Sequence, residues 1–214
     1  MRDYVQEAAA RHFICKLFGR VFAEEPDACL QELLSSDLTK HALRVVMSVS
    51  ASDSDSEVKE CDSLMFSVED IASISNSEFT RLFVGPGALP APPWESVYVS
   101  SKRSLFTHDT LKVRMFCKKC GYRIQSETNV PDDHIASELF FMAALAVEEL
   151  EAREALDNER VDVLIDHQRE FLDCHLLRWV DSFAACLAEY NPNSCYAHIA
   201  SVLTGFLKAY RVSL

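Results

Sequence analysis

The sequence predicts an all-α fold, and three observations carry that prediction. Apolar residues recur at helical spacing through most of the 214 residues. No segment alternates apolar and polar residues between hairpin turns. The chain breakers are gathered rather than spread: four of seven prolines and two of five glycines fall between Gly85 and Pro93. An apolar fraction of 49% supports a real core, and 25% charged residues support a solvated surface, so residues 1–214 read as one domain.

The elements follow in order. From Tyr4 to Glu24, Val5, Ala8, Ala9, Ile14, Leu17, Phe18 and Val21 mark an apolar helix face. Pro26 suits the opening of a second helix, where no N–H is needed, and Leu30, Leu33 and Leu34 give that helix its buried side. A third helix starts near Asp37 and carries Leu38, Leu43, Val45, Val46 and Met47. Residues 50–57 read as an acidic loop, and residues 61–74 and 77–85 as two short helices, the second stopped by Gly85-Pro86. Asp109 suits the start of a helix running to Cys120, with Gly121 at its C-terminal left-handed position. Residues 130–156 form the strongest helical pattern, with Ile135, Leu139, Met142 and Ala146 as a buried stripe. Asp132 and Asp133 are expected in its first turn, where carboxylates complement the helix dipole. More helix runs from Val161 to Tyr190 with an interruption near His175, and Ser194 to Tyr210 closes the pattern after Asn191-Pro192.

Composition excludes several function classes. A formal charge of −12 disfavours nucleic acid, because phosphate contacts need clustered Lys and Arg. No run of about 18 apolar residues is present, so no membrane insertion is expected. The first residues lack a secretory pattern, and the eight cysteines then read as reduced thiols in a cytoplasm. Monomer and helix-exchanged dimer both stay open, since exchange leaves no local signature.

The candidate chemistry is sparse. Cys117 and Cys120 in "CKKCG" resemble half of a zinc knuckle, but a structural site needs four ligands and no second close pair completes it. A metal- or redox-responsive protein using these thiols is the alternative reading. His134, Glu138, Asp166, His167, Glu170 and His175 are numerous, yet the paired Glu-x-x-His spacing of a di-metal bundle is missing. Asp133, His134 and Glu138 could serve as acid–base groups, a weaker rival. Neither a nucleophile elbow nor a phosphate-binding loop occurs. No metal and no cofactor are therefore expected.

Two blocks stand out. "EFTRLFVGPGALPAPPWESVY" (78–98) holds a stiff, largely preformed segment that offers Phe83, Leu89, Trp94 and Tyr98 as apolar contacts, with Glu95 and Ser96 as polar handles. "PDDHIASELFFMAAL" (131–145) pairs an Asp-Asp-His helix start with an apolar helix. With "TLKVRMFCKKCG" (110–121) and "HQREFLDCHLLRWVDSF" (167–183), these blocks resemble the TorD/DmsD family of cytoplasmic redox-enzyme maturation chaperones. The resemblance covers most of the chain after residue 78. It implies an all-helical, non-catalytic protein that binds the twin-arginine signal peptide of a molybdopterin oxidoreductase precursor until its cofactor is loaded. It further implies a peptide-binding region at Leu89, Pro93, Trp94, Glu95, Ser96 and Tyr98, with Pro131, Asp132, Asp133 and His134. An acidic groove with apolar walls suits such a peptide, since carboxylates accept bidentate guanidinium bonds. Gly87 stands where some relatives carry an aromatic, and Cys117 where many do.

Overall fold

The computed structural model describes residues 2–48, 74–100, 108–122 and 131–214, and among these the regular elements are helices apart from one isolated β-bridge. The expected loop at 50–57 and the helix expected at 61–74 lie essentially outside the described residues. The first three helices are α1 (Tyr4–Ala23), α2 (Ala28–Ser35) and α3 (Asp37–Met47). Each starts where a side-chain oxygen takes an otherwise orphaned N–H: Asp3 accepts from Gln6, Asp27 from Leu30 and Ser36 from Thr39. Pro26 therefore does not open α2. It precedes the cap, because Asp27 satisfies a backbone donor there and proline has no side-chain acceptor.

A short helix α4 (Asn76–Phe79) widens into a π turn over Thr80–Val84, closed by the N–H of Gly85 on the carbonyl of Thr80 at 2.6 Å. Non-helical backbone then runs to α5 (Glu95–Val99). Gly87 adopts a φ of +117°, a conformation that an L side chain rarely takes, which accounts for a glycine at this position. Beyond it lie α6 (His108–Lys119), α7 (Ile135–Glu154), α8 (Asn158–Cys174), α9 (Val180–Tyr190) and α10 (Cys195–Ser213). Gly121, at φ +89°, terminates α6 as its position suggested. The interruption near His175 is a break between α8 and α9 bridged by a 3₁₀ turn at Leu176–Arg178.

The core is one contiguous apolar cluster drawn from most of the helices. Its longest interface is α1 along α7. They approach so closely at Gly19 that a Cβ there would lie 2.5 Å from the Phe140 ring, so only glycine fits without moving it. The stripe Ile135, Leu139, Met142 and Ala146 is wholly buried, as the spacing predicts. Leu38 and Val5 are exposed, and the faces of α3 and α1 are narrower than the apolar residues alone suggested.

Candidate functional site

Proline and helix start meet at one joint. The N–H of Glu95 donates to the carbonyl of Asp133 and the N–H of Ile135 to that of Pro93, both at 2.9 Å, giving an antiparallel bridge between Trp94 and His134. Pro93 and Trp94 can pair in this way because the prolines upstream keep the backbone extended up to α5. The Ser96 N–H completes the junction by donating to Asp133 Oδ2 at 2.9 Å, across 37 positions of sequence. The indole of Trp94 meets the His134 ring edge-on at 5.9 Å.

Pro131 and Asp132 precede the bridge, and Asp132 and Asp133 lie in the turn before α7 rather than in its first helical turn. His134 is the actual cap: its Nδ1 accepts from the N–H of Ala136 at 3.1 Å. The expectation of carboxylates at the helix start fails because both are turned into tertiary contacts. Asp133 has no exposed surface, and Glu95 retains only 1%. Glu95 Oε2 lies 2.9 Å from His175 Nδ1, with Arg178 Nη1 at 3.8 Å from its other oxygen. Asp132 is held by the guanidinium of Arg114, whose own side chain is 63% exposed.

Behind the joint lies a buried polar cluster. Glu138 accepts from the indole N–H of Trp179 at 3.2 Å. Burial first, and then the nearby charge of Glu95, hold its carboxyl well above the usual range, against the opposing effect of the Trp179 bond. Trp179 in turn stacks on Tyr98 at 5.4 Å. Among the described residues, four buried polar atoms at this joint have no protein hydrogen-bond partner: Trp94 Nε1, Ser96 Oγ, Asp133 Oδ1 and Glu138 Oε1. Such atoms are costly, and their concentration in one place marks the joint as chemically unfinished.

The region thus gathers Pro93, Trp94, Glu95, Ser96, Asp133 and His134 directly, with Pro131 and Asp132 alongside. Leu89 is only half-buried and lies against Gly85. Phe83 is not a surface contact: it is buried against Phe22 and Tyr196, with ring centroids at 5.7 and 5.2 Å. Arg114, Glu138, His175, Arg178 and Trp179 were not assigned to this site from sequence. They come from three other elements, and only Glu138 and His175 had been singled out as candidate polar groups. Cys117 is buried, and desolvation pushes its thiol up to about 12, which disfavours the thiolate that metal binding or redox exchange requires.

Burial also lowers His134 to about 4. The folded state binds this proton less well than the unfolded chain, so stability should fall as pH drops from about 6.5 toward 4. His134→Asn keeps a good N-cap and removes that titration. Relative to the parent it should gain about 2 kcal/mol between pH 7 and pH 4.5, read from urea midpoints at the two values. A difference independent of pH would mean that His134 takes up its proton as readily in the folded protein as in the unfolded chain.

Residues 68–185 match the family described as the nitrate reductase delta subunit. The chain is 33% identical over 135 residues to the Tat proofreading chaperone DmsD of Salmonella typhimurium, covering 63% of this chain and 59% of that protein. It is 28% identical over 130 residues to the chaperone protein TorD of Photobacterium profundum, covering 61% and 59%. The TorD of Vibrio cholerae strain O395 is 25% identical over 132 residues, covering 62% and 58%. The matching stretch spans about three fifths of the length of these relatives.

Proposed function

The chain belongs to the nitrate reductase delta subunit family, that of TorD and DmsD, and on that premise we propose that it is a Tat proofreading chaperone. It binds the twin-arginine signal peptide of a molybdopterin oxidoreductase precursor in the cytoplasm, acts as one unit over residues 1–214, and carries out no catalysis. The joint of Leu89, Pro93–Ser96 and Tyr98 with Pro131–His134 receives the peptide. The observation that carries this reading is the set of unfinished polar atoms there, above all the acceptor oxygen Asp133 Oδ1. A guanidinium brings five donors in a fixed fork and no acceptor, the complement of such an oxygen. Arg114 on Asp132 supports it further, since a guanidinium reaching in from solvent already satisfies one carboxylate of the block. Trp94 and Leu89, both half-buried, provide apolar surface for the hydrophobic part of a leader.

Because the carboxylates are buried, the joint must open slightly to admit an arginine, and binding should be slower than diffusion allows. Isothermal titration with a twin-arginine leader tests the reading. Replacing both arginines of the leader by glutamine should weaken binding by about 1–3 kcal/mol. Asp133→Asn, which still accepts from the Ser96 N–H, should lose a similar amount at low salt and less at high salt. If that variant is folded by circular dichroism yet binds the leader as the parent does, Asp133 is a structural cap of the joint and the peptide binds elsewhere.

A further inference from the structure

Beside His175 and Arg178, which both contact Glu95, lies an open cavity of about 720 Å³. Lys112, Lys119 and Arg178 line it together with Met115, Phe116 and His175. Its charge runs against the rest of a chain whose formal charge is −12. Half of its lining comes from α6, where Lys112 and Lys119 supply two of the three lysine and arginine side chains. One acid, Asp173, also lines the cavity, and Arg211 already engages it through both oxygens at 2.8 Å. Lys119 reaches Glu170 at 2.8 Å and lies 5.2 Å over the Phe116 ring. Arg178 donates to the Cys174 carbonyl at 3.3 Å.

The apolar part of this surface exceeds what core packing uses. α6 is anchored to the core through Val113, Phe116 and Cys117, which are buried. Among the described residues, its outer face leaves Met115 70% exposed and Leu111 50% exposed, one helical turn apart. Lys112 and Lys119 flank Met115 along that face at helical spacing. An unbranched thioether at the centre of a cationic rim adapts to varied apolar side chains, while the rim selects for negative charge.

We propose that this cavity and the outer face of α6 form a second docking site, which takes an acidic peptide segment of a partner protein, anchored by an aromatic or leucine side chain. The apolar strip continues along α6 beyond the cavity, so an extended or helical segment covers it where a compact ligand would not. Charge complementarity sets the sign of the occupant. A basic leader is repelled here, so the two sites accept different chemistries and are occupied together. His175 and Arg178 both line the cavity and touch Glu95, which links the two sites through one carboxylate.

A blocked, fluorescein-labelled peptide of repeated Glu-Leu-Glu-Phe is the probe, titrated by anisotropy into the parent, Lys112→Glu/Lys119→Glu and Met115→Glu. All three changes are at exposed positions, and circular dichroism checks folding. The parent should bind, each variant should bind at least about tenfold more weakly, and added salt should weaken the parent more than the double variant. Titration of the twin-arginine leader in the same preparations should be unchanged. That separates this proposal from the leader reading, which can fail while the acidic peptide still binds. No binding of the acidic peptide to the parent, or equal binding to the variants, overturns the second site. So does charge-sensitive binding of a phosphatidylglycerol vesicle or a single-stranded RNA with no binding of the peptide.

Discussion

Glu149→Leu should destabilise the protein by about 3–5 kcal/mol, because it leaves a fully buried guanidinium without its counter-charge. Arg11 Nη2 lies 2.8 and 2.9 Å from the two oxygens of Glu149, and neither side chain reaches solvent. Arg153 binds the same carboxylate at 2.7 Å, and Gln168 donates to it at 2.9 Å. The Tyr210 hydroxyl donates to Gln168, and its ring lies 5.1 Å under Arg11. One carboxylate thereby ties α1, α7, α8 and α10 together. After substitution Arg153 can turn outward to water, whereas Arg11 cannot. The midpoint of thermal unfolding should fall by roughly 10 °C. Arg11→Met added to Glu149→Leu should restore most of the loss, since an apolar pair of similar volume removes the stranded charge. Urea titrations of the three proteins decide it. A single-variant loss under about 1 kcal/mol would show that water reaches Arg11.

Trp179→Ala is expected to cost about 3–5 kcal/mol, the range for truncating a large buried aromatic. Trp179 has no exposed surface, stacks on Tyr98, packs 5.6 Å from Phe183 and donates to Glu138. Trp179→Phe separates packing from the hydrogen bond. It keeps a ring in place but withdraws the only donor on Glu138 among the described residues, for a loss of about 1–3 kcal/mol. The pH dependence has a definite sign. Glu138 has a raised folded pKa, so its burial is least costly at low pH, where it is protonated in both states. Stability then declines as pH rises through the interval above about 4.5 toward the folded value. The Trp179 bond lowers that value, so its removal widens the interval. The deficit of Trp179→Phe relative to the parent, read from pH 5 to pH 8, should therefore grow wherever the parent's Glu138 ionises in the fold. A deficit constant across that range would mean that Glu138 stays protonated throughout.

The all-α character, the stripe of α7, the stop at Gly121 and the break at His175 were legible because each depends on local spacing or on a residue with restricted backbone. The two blocks around Trp94 and Asp133 were also visible, through their unusual composition. Their contents were harder to assign. Asp132 and Asp133 look like helix-start acids in any local reading, and His134 looks like their companion; only the bridge to Pro93–Ser96 reverses these roles. Phe83 offered itself as a surface contact by lying next to the prolines, but the π turn rotates it inward against Phe22 and Tyr196.

By itself, then, the sequence determined most helices among the described residues, though not α5, with their approximate ends and the two segments that meet. Periodicity, capping residues and proline act within a few positions, so one chain of letters displays them. Only the tertiary structure decided that Glu95, Asp133 and Glu138 face inward, that Arg114, His175, Arg178 and Trp179 are their neighbours, and that α6 turns a cationic, apolar face toward a cavity. A carboxylate's partner is chosen by distance in space, and its charge state by burial. Neither quantity exists until helices far apart in the chain have packed.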